Sequence, residues 1–125
     1  MPRVVVSDTL NVTLFDTGES ILVSGTERED VELVLKQLVE MGATVIDKPS
    51  ETGPIWTATC RRPDIPNGDA HVEQLGHRFF IRGRALEAVR AKVSELAERG
   101  ARLNGKIEKI DNYFIAVCDD APMGH

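Results

Sequence analysis

The sequence has few of the residues that mark secreted or membrane-spanning proteins. Only two of its 125 residues are cysteine and only six are aromatic. No apolar run approaches the roughly 20 residues that a bilayer-spanning helix needs, and the start of the chain has no apolar segment long enough for a signal peptide. Two cysteines without an export signal are typical of reduced thiols. We therefore expect a cytoplasmic protein that makes no use of the membrane.

A basic surplus is also missing. Twenty acidic and fifteen basic side chains give a net charge of −5. This charge disfavours binding to nucleic acid through a general basic surface, because such binding neutralises phosphates. The charge is unevenly spread, since residues 1–70 carry six basic and twelve acidic side chains and residues 71–125 carry nine and eight. The first half is therefore acidic, and the second is nearly neutral.

The motifs of the common catalytic and cofactor sites are absent. The chain contains no G-x-S-x-G, H-E-x-x-H, G-x-x-x-x-G-K-[ST] or G-x-G-x-x-G segment. No C-x-x-C pair supplies metal ligands at close spacing. We expect Cys60 and Cys118 to act as small apolar core residues, although His71 or His77 could serve as a base beside either thiol. The sequence thus predicts no catalytic residue, metal or cofactor, and an enzyme is the class it supports least.

What the sequence does contain is an internal repeat at an offset of 58 residues. Ten identities fall in the 42 ungapped positions 21–62, where unrelated segments would give roughly two or three. The identical pairs are Gly25/Gly83, Glu29/Glu87, Val31/Val89, Leu38/Leu96, Glu40/Glu98, Gly42/Gly100, Ala43/Ala101, Lys48/Lys106, Ala58/Ala116 and Cys60/Cys118. We interpret the chain as a tandem duplication.

Each repeat shows the same order of predicted elements. Alternating apolar residues predict a β-hairpin over 12–15 and 20–25 and another over 70–74 and 78–83. Apolar residues at helical spacing then predict helices from about 26 and 85, which end at Gly42 and Gly100. Thr26 and Glu29 have the spacing of a capping box. Two further strands close each repeat, at 43–48 and 55–61 and at 102–110 and 113–118, with Asp111-Asn112 as a hairpin turn.

These elements predict an α+β fold in which a ββαββ module occurs twice. A module of 58 residues with one helix can bury only a thin core alone. We therefore expect residues 1–125 to form a single domain of two repeats, about 9–62 and 67–120. The strands should be mainly antiparallel, both helices should cover the inner side, and a pseudo-two-fold axis should relate the halves.

The last strand predicts a possible self-association face. In the first repeat Ile55, Thr57 and Thr59 oppose the side that carries Trp56, Ala58 and Cys60. In the second repeat Tyr113, Ile115 and Val117 make the corresponding side apolar, which is typical of a strand that is buried on both faces. A second copy of the chain could cover that side in a homodimer. A central position of the strand, or an extra segment such as residues 3–6, could cover it instead.

The most suggestive polar group is a set of arginines in the second half. Arg78, Phe80 and Arg82 alternate onto one face of a strand, with Arg84 beyond its end and Arg61 and Arg62 as further candidates. Guanidinium groups beside an aromatic ring can hold an anionic ligand, an acidic protein surface or single-stranded nucleic acid. Alternatively, these arginines pair with the chain's own carboxylates.

Three classes of function stay open. A regulator or inhibitor that acts by protein–protein interaction fits a short, acidic chain without catalytic residues best. In its order of elements the chain also resembles the effector-binding domains similar to gyrase-inhibitor proteins, which implies a small-molecule cleft at the repeat interface. The third class is single-stranded nucleic-acid binding through the arginine-bearing strand, against which the negative net charge weighs.

Overall fold

A computed structural model of the chain describes residues 3–7 and 10–120. The chain divides into two compact units, Met1–Asp64 and Ile65–His125. Within the described residues, each unit contains one helix and one five-stranded sheet, and all strand pairs are antiparallel. The predicted α+β class with antiparallel strands is therefore confirmed.

The first unit forms a sheet in the order β1-β2-β3-β5-β4. Its elements are β1 (Arg3–Val6), β2 (Val12–Asp16), β3 (Ser20–Gly25), α1 (Arg28–Glu40), β4 (Thr44–Thr52) and β5 (Ile55–Arg61). The segment 3–6, predicted only as an extra piece of chain, is an edge strand of this sheet. Residue 9, at the predicted start of the first repeat, lies outside the described residues.

The second unit forms a sheet in the order β6-β7-β10-β8, and β9 also pairs with β10. Its elements are β6 (Ala70–Leu75), β7 (Arg78–Gly83), α2 (Leu86–Glu98), β8 (Arg102–Leu103), β9 (Glu108–Ile110) and β10 (Tyr113–Asp119). The pairing of Ile110 with Tyr113 leaves Asp111 and Asn112 as a two-residue turn. The predicted hairpin turn is confirmed.

The strand pairings of the two units coincide at the offset of 58. In the first unit Ser20 pairs with Arg61, and in the second Arg78 pairs with Asp119. The hairpins β2–β3 and β6–β7 also share their register. The strand that follows each helix, which we call the closing strand, pairs in the same register at 44–45 with β5 and at 102–103 with β10. The middle of the closing strand is irregular in both, because β4 carries two register shifts and the second unit has a gap between β8 and β9. Apart from β1, which has no equivalent among the described residues of the second unit, the two units thus share their strand pairings.

Each helix lies on one face of its own sheet and buries an apolar stripe there. The stripe of α1 consists of Val31, Val34, Leu35 and Leu38, and Val89 and Leu96 are the buried residues of α2. Gly42 and Gly100 follow the helix ends with φ values of 105° and 99°, a conformation in which glycine avoids the steric cost of a side chain. The predicted capping box does not form, since α1 begins after Glu27 without a side-chain cap.

Strand alternation gives each sheet one face toward its helix and one face away from it. In β5 the residues Trp56, Ala58 and Cys60 lie on the helix side, as predicted, because Ala58 and Cys60 are buried with Ile21 and Val23. We call the other side of each sheet its helix-free face. Both helices have 13 residues, and no helix in the described part of the chain is long and apolar enough to cross a membrane.

Candidate functional site

The predicted arginine-bearing strand is β7, and its side chains alternate as expected. Arg78, Phe80 and Arg82 share the helix-free face of the second sheet, where they oppose Asp119, Val117 and Ile115 of β10. This face is closed to solvent over most of its area, since Phe80 and Arg82 are each only 1% exposed. Ligand binding by this strand stays a prediction. The ring of Phe80 is buried and therefore offers no exposed surface for stacking.

Arg82 lies in a buried charge cluster. Its Nε is 3.9 Å from Oε1 of Glu73 on the neighbouring strand β6, and its guanidinium carbon lies 5.2 Å from the ring centroid of Tyr113. Both the carboxylate and the aromatic face favour the charged guanidinium, which water cannot solvate here. The cluster accounts for a buried arginine beside the apolar residues Phe80, Ile115 and Val117 of this face.

The other candidate arginines take structural roles as well. Arg84 lies 5.3 Å from the same Tyr113 centroid and donates from Nε to the Ile65 carbonyl oxygen at 2.9 Å. Arg78 lies 3.5 Å from the Asp119 carboxylate. These contacts agree with the alternative that the arginines pair with the chain's own acceptors.

Arg61 and Arg62 belong to the first unit. Arg61 is exposed, whereas Arg62 is buried and forms an ion pair with Asp16. Nη2 of Arg62 also donates to the Gly18 carbonyl at 2.9 Å, and the Gly18 amide donates to Asp16 at 2.8 Å. This network fixes the turn between β2 and β3.

The predicted self-association face is also buried within the chain. Tyr113, Ile115 and Val117 share the helix-free side of β10 and are at most 1% exposed. Ile65 and Ile110 pack in one cluster with Tyr113 and Ile115, so the second unit supplies part of the cover itself. Self-association through these three residues stays a prediction, and they offer no exposed area for it.

Both cysteines are buried thiols on the helix side of their sheets. Burial, with a smaller contribution from the neighbouring Asp119 carboxylate, raises the pKa of Cys118 above its usual value, which disfavours the reactive thiolate. No cluster of three or more His, Cys, Asp or Glu residues that could hold a metal occurs among the residues that the structure describes.

The helix-free face of the first sheet is open, and sequence reasoning did not identify it as a site. Two rows of paired residues cross all five strands from β1 to β4, and none of the ten side chains is buried. The rows are Val4, Phe15, Leu22, Thr59 and Asp47, and Val6, Thr13, Ser24, Thr57 and Ser50. We call these ten residues the open face. Its signal was the polar alternation of Thr57 and Thr59 in β5.

The open face combines apolar and hydroxyl groups with almost no charge. Val4, Val6 and Leu22 are 54%, 60% and 36% exposed, and Asp47, at the margin, is the one ionisable residue of the ten. Such a surface can bury apolar area against another molecule while threonine and serine hydroxyls offer hydrogen bonds.

A cleft of about 440 Å³ continues the open face at one end. Val6, Thr13 and Ser24 belong to both, and the further lining residues are Ser7, Leu10, Asn11, Val12, Gly25, Thr26 and Ile55. The lining residues that the structure describes have hydroxyl, amide and apolar groups, and none of them is ionisable. Its volume lies within the range of small-molecule pockets, and its chemistry suits an uncharged group.

Comparison of the chain with protein-family models, with curated proteins and with solved structures gives no match. Function is therefore inferred from the residues of the chain itself.

Proposed function

We propose that this chain is a non-catalytic binding protein, a regulator or inhibitor, whose open face docks on another protein. The observation that carries the proposal is the contrast between the two helix-free faces. In the first unit Leu22 is exposed and Ser24, Thr57 and Thr59 are partly exposed, whereas the equivalent residues of the second unit, Phe80, Arg82, Ile115 and Val117, are buried. Exposed apolar side chains that cluster on one sheet face are a common feature of interaction surfaces.

The charge of the first unit indicates the kind of partner. Residues 1–64 carry eleven acidic and six basic side chains, whereas residues 65–125 carry nine of each. The open face itself is nearly neutral, and five of the eleven acidic residues lie at α1, on the other side of the sheet: Glu27, Glu29, Asp30, Glu32 and Glu40. The negative charge of the unit therefore acts at longer range, and we expect a partner with an apolar docking site on a basic surface, because opposite potentials steer the two molecules together.

The duplication predicted from the sequence is part of the same proposal. Shared strand register at the offset of 58 supports common descent of the two units. After duplication, one helix-free face became apolar and closed while the other kept its hydroxyl groups. We place the protein in the cytoplasm, where its cysteines stay reduced.

The test compares two leucines of similar exposure in the first unit. Leu22 of the open face is 36% exposed, and Leu33 on the outer side of α1 is 44% exposed. Wild type, Leu22→Asp and Leu33→Asp would be immobilised at equal density and incubated with extract of the source cells. We expect one stoichiometric protein that binds wild type and Leu33→Asp, is lost by Leu22→Asp and dissociates with added salt.

Circular dichroism would show that both variants fold. A partner that binds Leu22→Asp and wild type equally, or no stoichiometric partner at any ionic strength, would contradict the proposal.

The cleft supports a second candidate, a module that binds a small uncharged molecule. Its neutral polar lining, beside apolar Val6, Leu10 and Ile55, has the mixture of groups found in ligand sites. A panel of uncharged metabolites such as sugars and nucleosides should then raise the melting temperature by mass action. A Ser24→Val variant should lower that shift. No shift with any compound would remove this candidate.

A further inference from the structure

The β1 edge of the first sheet has a defined set of outward backbone groups. The Ser7 amide donates to the Val12 carbonyl at 2.9 Å, and this bond sets the phase of the β1–β2 ladder. Because bonded and non-bonded pairs alternate in an antiparallel ladder, Arg3 and Val5 bond to β2. The N–H and C=O groups of Val4 and Val6 therefore point away from the sheet.

The other edge of the same sheet, β4, has features that hinder pairing with another strand, and β1 lacks them. Strand β4 contains Lys48 and Pro49 and has two register shifts against β5. Charge, proline and bulges are the devices by which sheets avoid edge-to-edge pairing. In contrast, β1 reads Arg-Val-Val-Val and pairs with β2 one to one over its whole length. Among the described residues, β1 has a strand on one side only.

We propose that two copies of this chain pair through their β1 edges in an antiparallel, two-fold symmetric dimer. In the proposed register Val4 lies opposite the partner's Val6, and Val5 lies opposite the partner's Val5 on the axis. The outward N–H and C=O groups of Val4 then exchange two hydrogen bonds with those of the partner's Val6, and the two-fold axis repeats this pair. The β1 edge is therefore complementary to itself: its backbone donors lie opposite the acceptors of the second copy, and its valines lie opposite valines.

Side-chain positions agree with this register. Paired residues share a face, so the exposed Val4 and Val6 pack against each other across the axis and lengthen the open face into the second copy. Arg3, the one charged residue of β1, lies opposite the partner's Ser7, and no like charges face each other. The dimer and the docking of another protein proposed above are tested separately, because the test residue for docking, Leu22, lies on β3.

The length of the edge sets the strength of the dimer. Four residues extend about 13 Å, and the contact is smaller than the roughly 800 Å² per partner of a stable interface. We therefore expect monomers at low micromolar protein and dimers as the concentration approaches about 1 mM. Sedimentation velocity over this range measures the shift.

Proline at position 4 removes one outward N–H and leaves the β1–β2 ladder intact, because edge strands tolerate proline where the amide faces solvent. We expect Val4→Pro to stay monomeric throughout, while the matched Val4→Thr, which keeps the amide, dimerises like wild type. Val4→Lys serves as a second variant, should Val4→Pro fail to fold, and should also stay monomeric. A monomeric wild type at 1 mM, or a Val4→Pro or Val4→Lys that dimerises like wild type, overturns the proposal.

Cysteine substitutions test the register. Directly opposed residues of a non-bonded antiparallel pair have Cα atoms about 4.5 Å apart, within the range of a disulfide. Mild oxidation should therefore crosslink Val5→Cys into a covalent dimer and leave Val4→Cys monomeric. Crosslinking of Val4→Cys with none of Val5→Cys overturns the proposed register.

Discussion

The two units share the register of their equivalent strands and differ in how far the helix-free face of the sheet is buried. Leu22, Thr57 and Thr59 of the open face are equivalent to Phe80, Ile115 and Val117 of the second unit at the offset of 58. The first three are not buried, and the second three are at most 1% exposed. The same backbone pairing thus supports a closed apolar face in one unit and an open hydroxyl face in the other.

The difference shows which properties of a sheet are coupled. Pairing depends on turns and on the face that packs against the helix, and both units keep Ala58/Ala116 and Cys60/Cys118 there. The helix-free face can change without altering the register, because successive side chains point to opposite sides. We infer that this freedom allowed one unit to become a binding surface while the other served stability.

The largest expected effect comes from breaking the buried charge cluster of the second unit. Arg82→Ala removes a buried cation 3.9 Å from the Glu73 carboxylate, together with the packing of a large side chain that is 1% exposed, so we expect a loss of about 3–5 kcal/mol in the free energy of unfolding. Urea titration measures the loss. The exposed Arg90 of α2 provides the control, since Arg90→Ala should change stability by no more than about 0.5 kcal/mol. A loss below 1 kcal/mol for Arg82→Ala would contradict the account.

An exchange of nearly isosteric residues between equivalent positions should give a smaller, one-sided effect. Val117→Thr places a hydroxyl in the closed face and should cost about 1–3 kcal/mol. The reverse change in the open face, Thr59→Val, should alter stability by no more than about 0.5 kcal/mol. The same urea titrations measure both. Equal losses in the two units would remove the proposed difference between the faces.

A third prediction concerns what the two units share. An added Cβ would lie 2.9 Å from the Asn11 carbonyl oxygen at Gly25 and 2.8 Å from the Asp69 carbonyl oxygen at Gly83. Because backbone has to move at both places, Gly25→Ala and Gly83→Ala should each cost about 1–3 kcal/mol. Thermal unfolding of the two variants is the measurement. A loss at one glycine alone would show that the equivalence of the units ends at this position.

The smallest effect is the pH dependence that Cys118 contributes. Its folded-state pKa is raised by burial and by Asp119, so the unfolded chain loses this proton at a lower pH than the folded chain. The contribution of Cys118 to stability is therefore intact below pH 9 and declines as the pH rises further. Cys118→Ala should flatten the decline between pH 9 and 10.5 in urea titrations. An unchanged pH profile would contradict the assignment.

The sequence predicts the elements well where local pattern and turn residues agree. Strand 20–25, the helix stop at Gly42 and the turn at Asp111 and Asn112 follow from alternation and glycine or turn chemistry. Strand β4 is longer than the predicted 43–48, because its last residues, Pro49 to Thr52, are polar or proline and resemble a loop. The absent capping box at Thr26 shows that a matching spacing does not determine where a helix begins.

Site prediction was weaker, because exposure depends on tertiary cover. Alternation placed Arg78, Phe80 and Arg82 on one face correctly, yet it carries no information on what packs over that face. Arg82 lies near Glu73 of the neighbouring strand although the register pairs Glu73 with Phe80, and alternation within one strand cannot predict such a diagonal contact. Likewise, the open face combines residues of five strands, so the polar pattern of β5 alone could not define it.

Hydroxyl-radical footprinting of the free protein tests the central claim most directly. Phe15 and Phe80 are the same residue type on the helix-free faces of the two units, but Phe80 is 1% exposed whereas Phe15 is only partly buried. The account predicts rapid oxidation of Phe15 and Leu22 and protection of Phe80 and Tyr113. Equal oxidation of Phe15 and Phe80, or protection of Phe15, would contradict it.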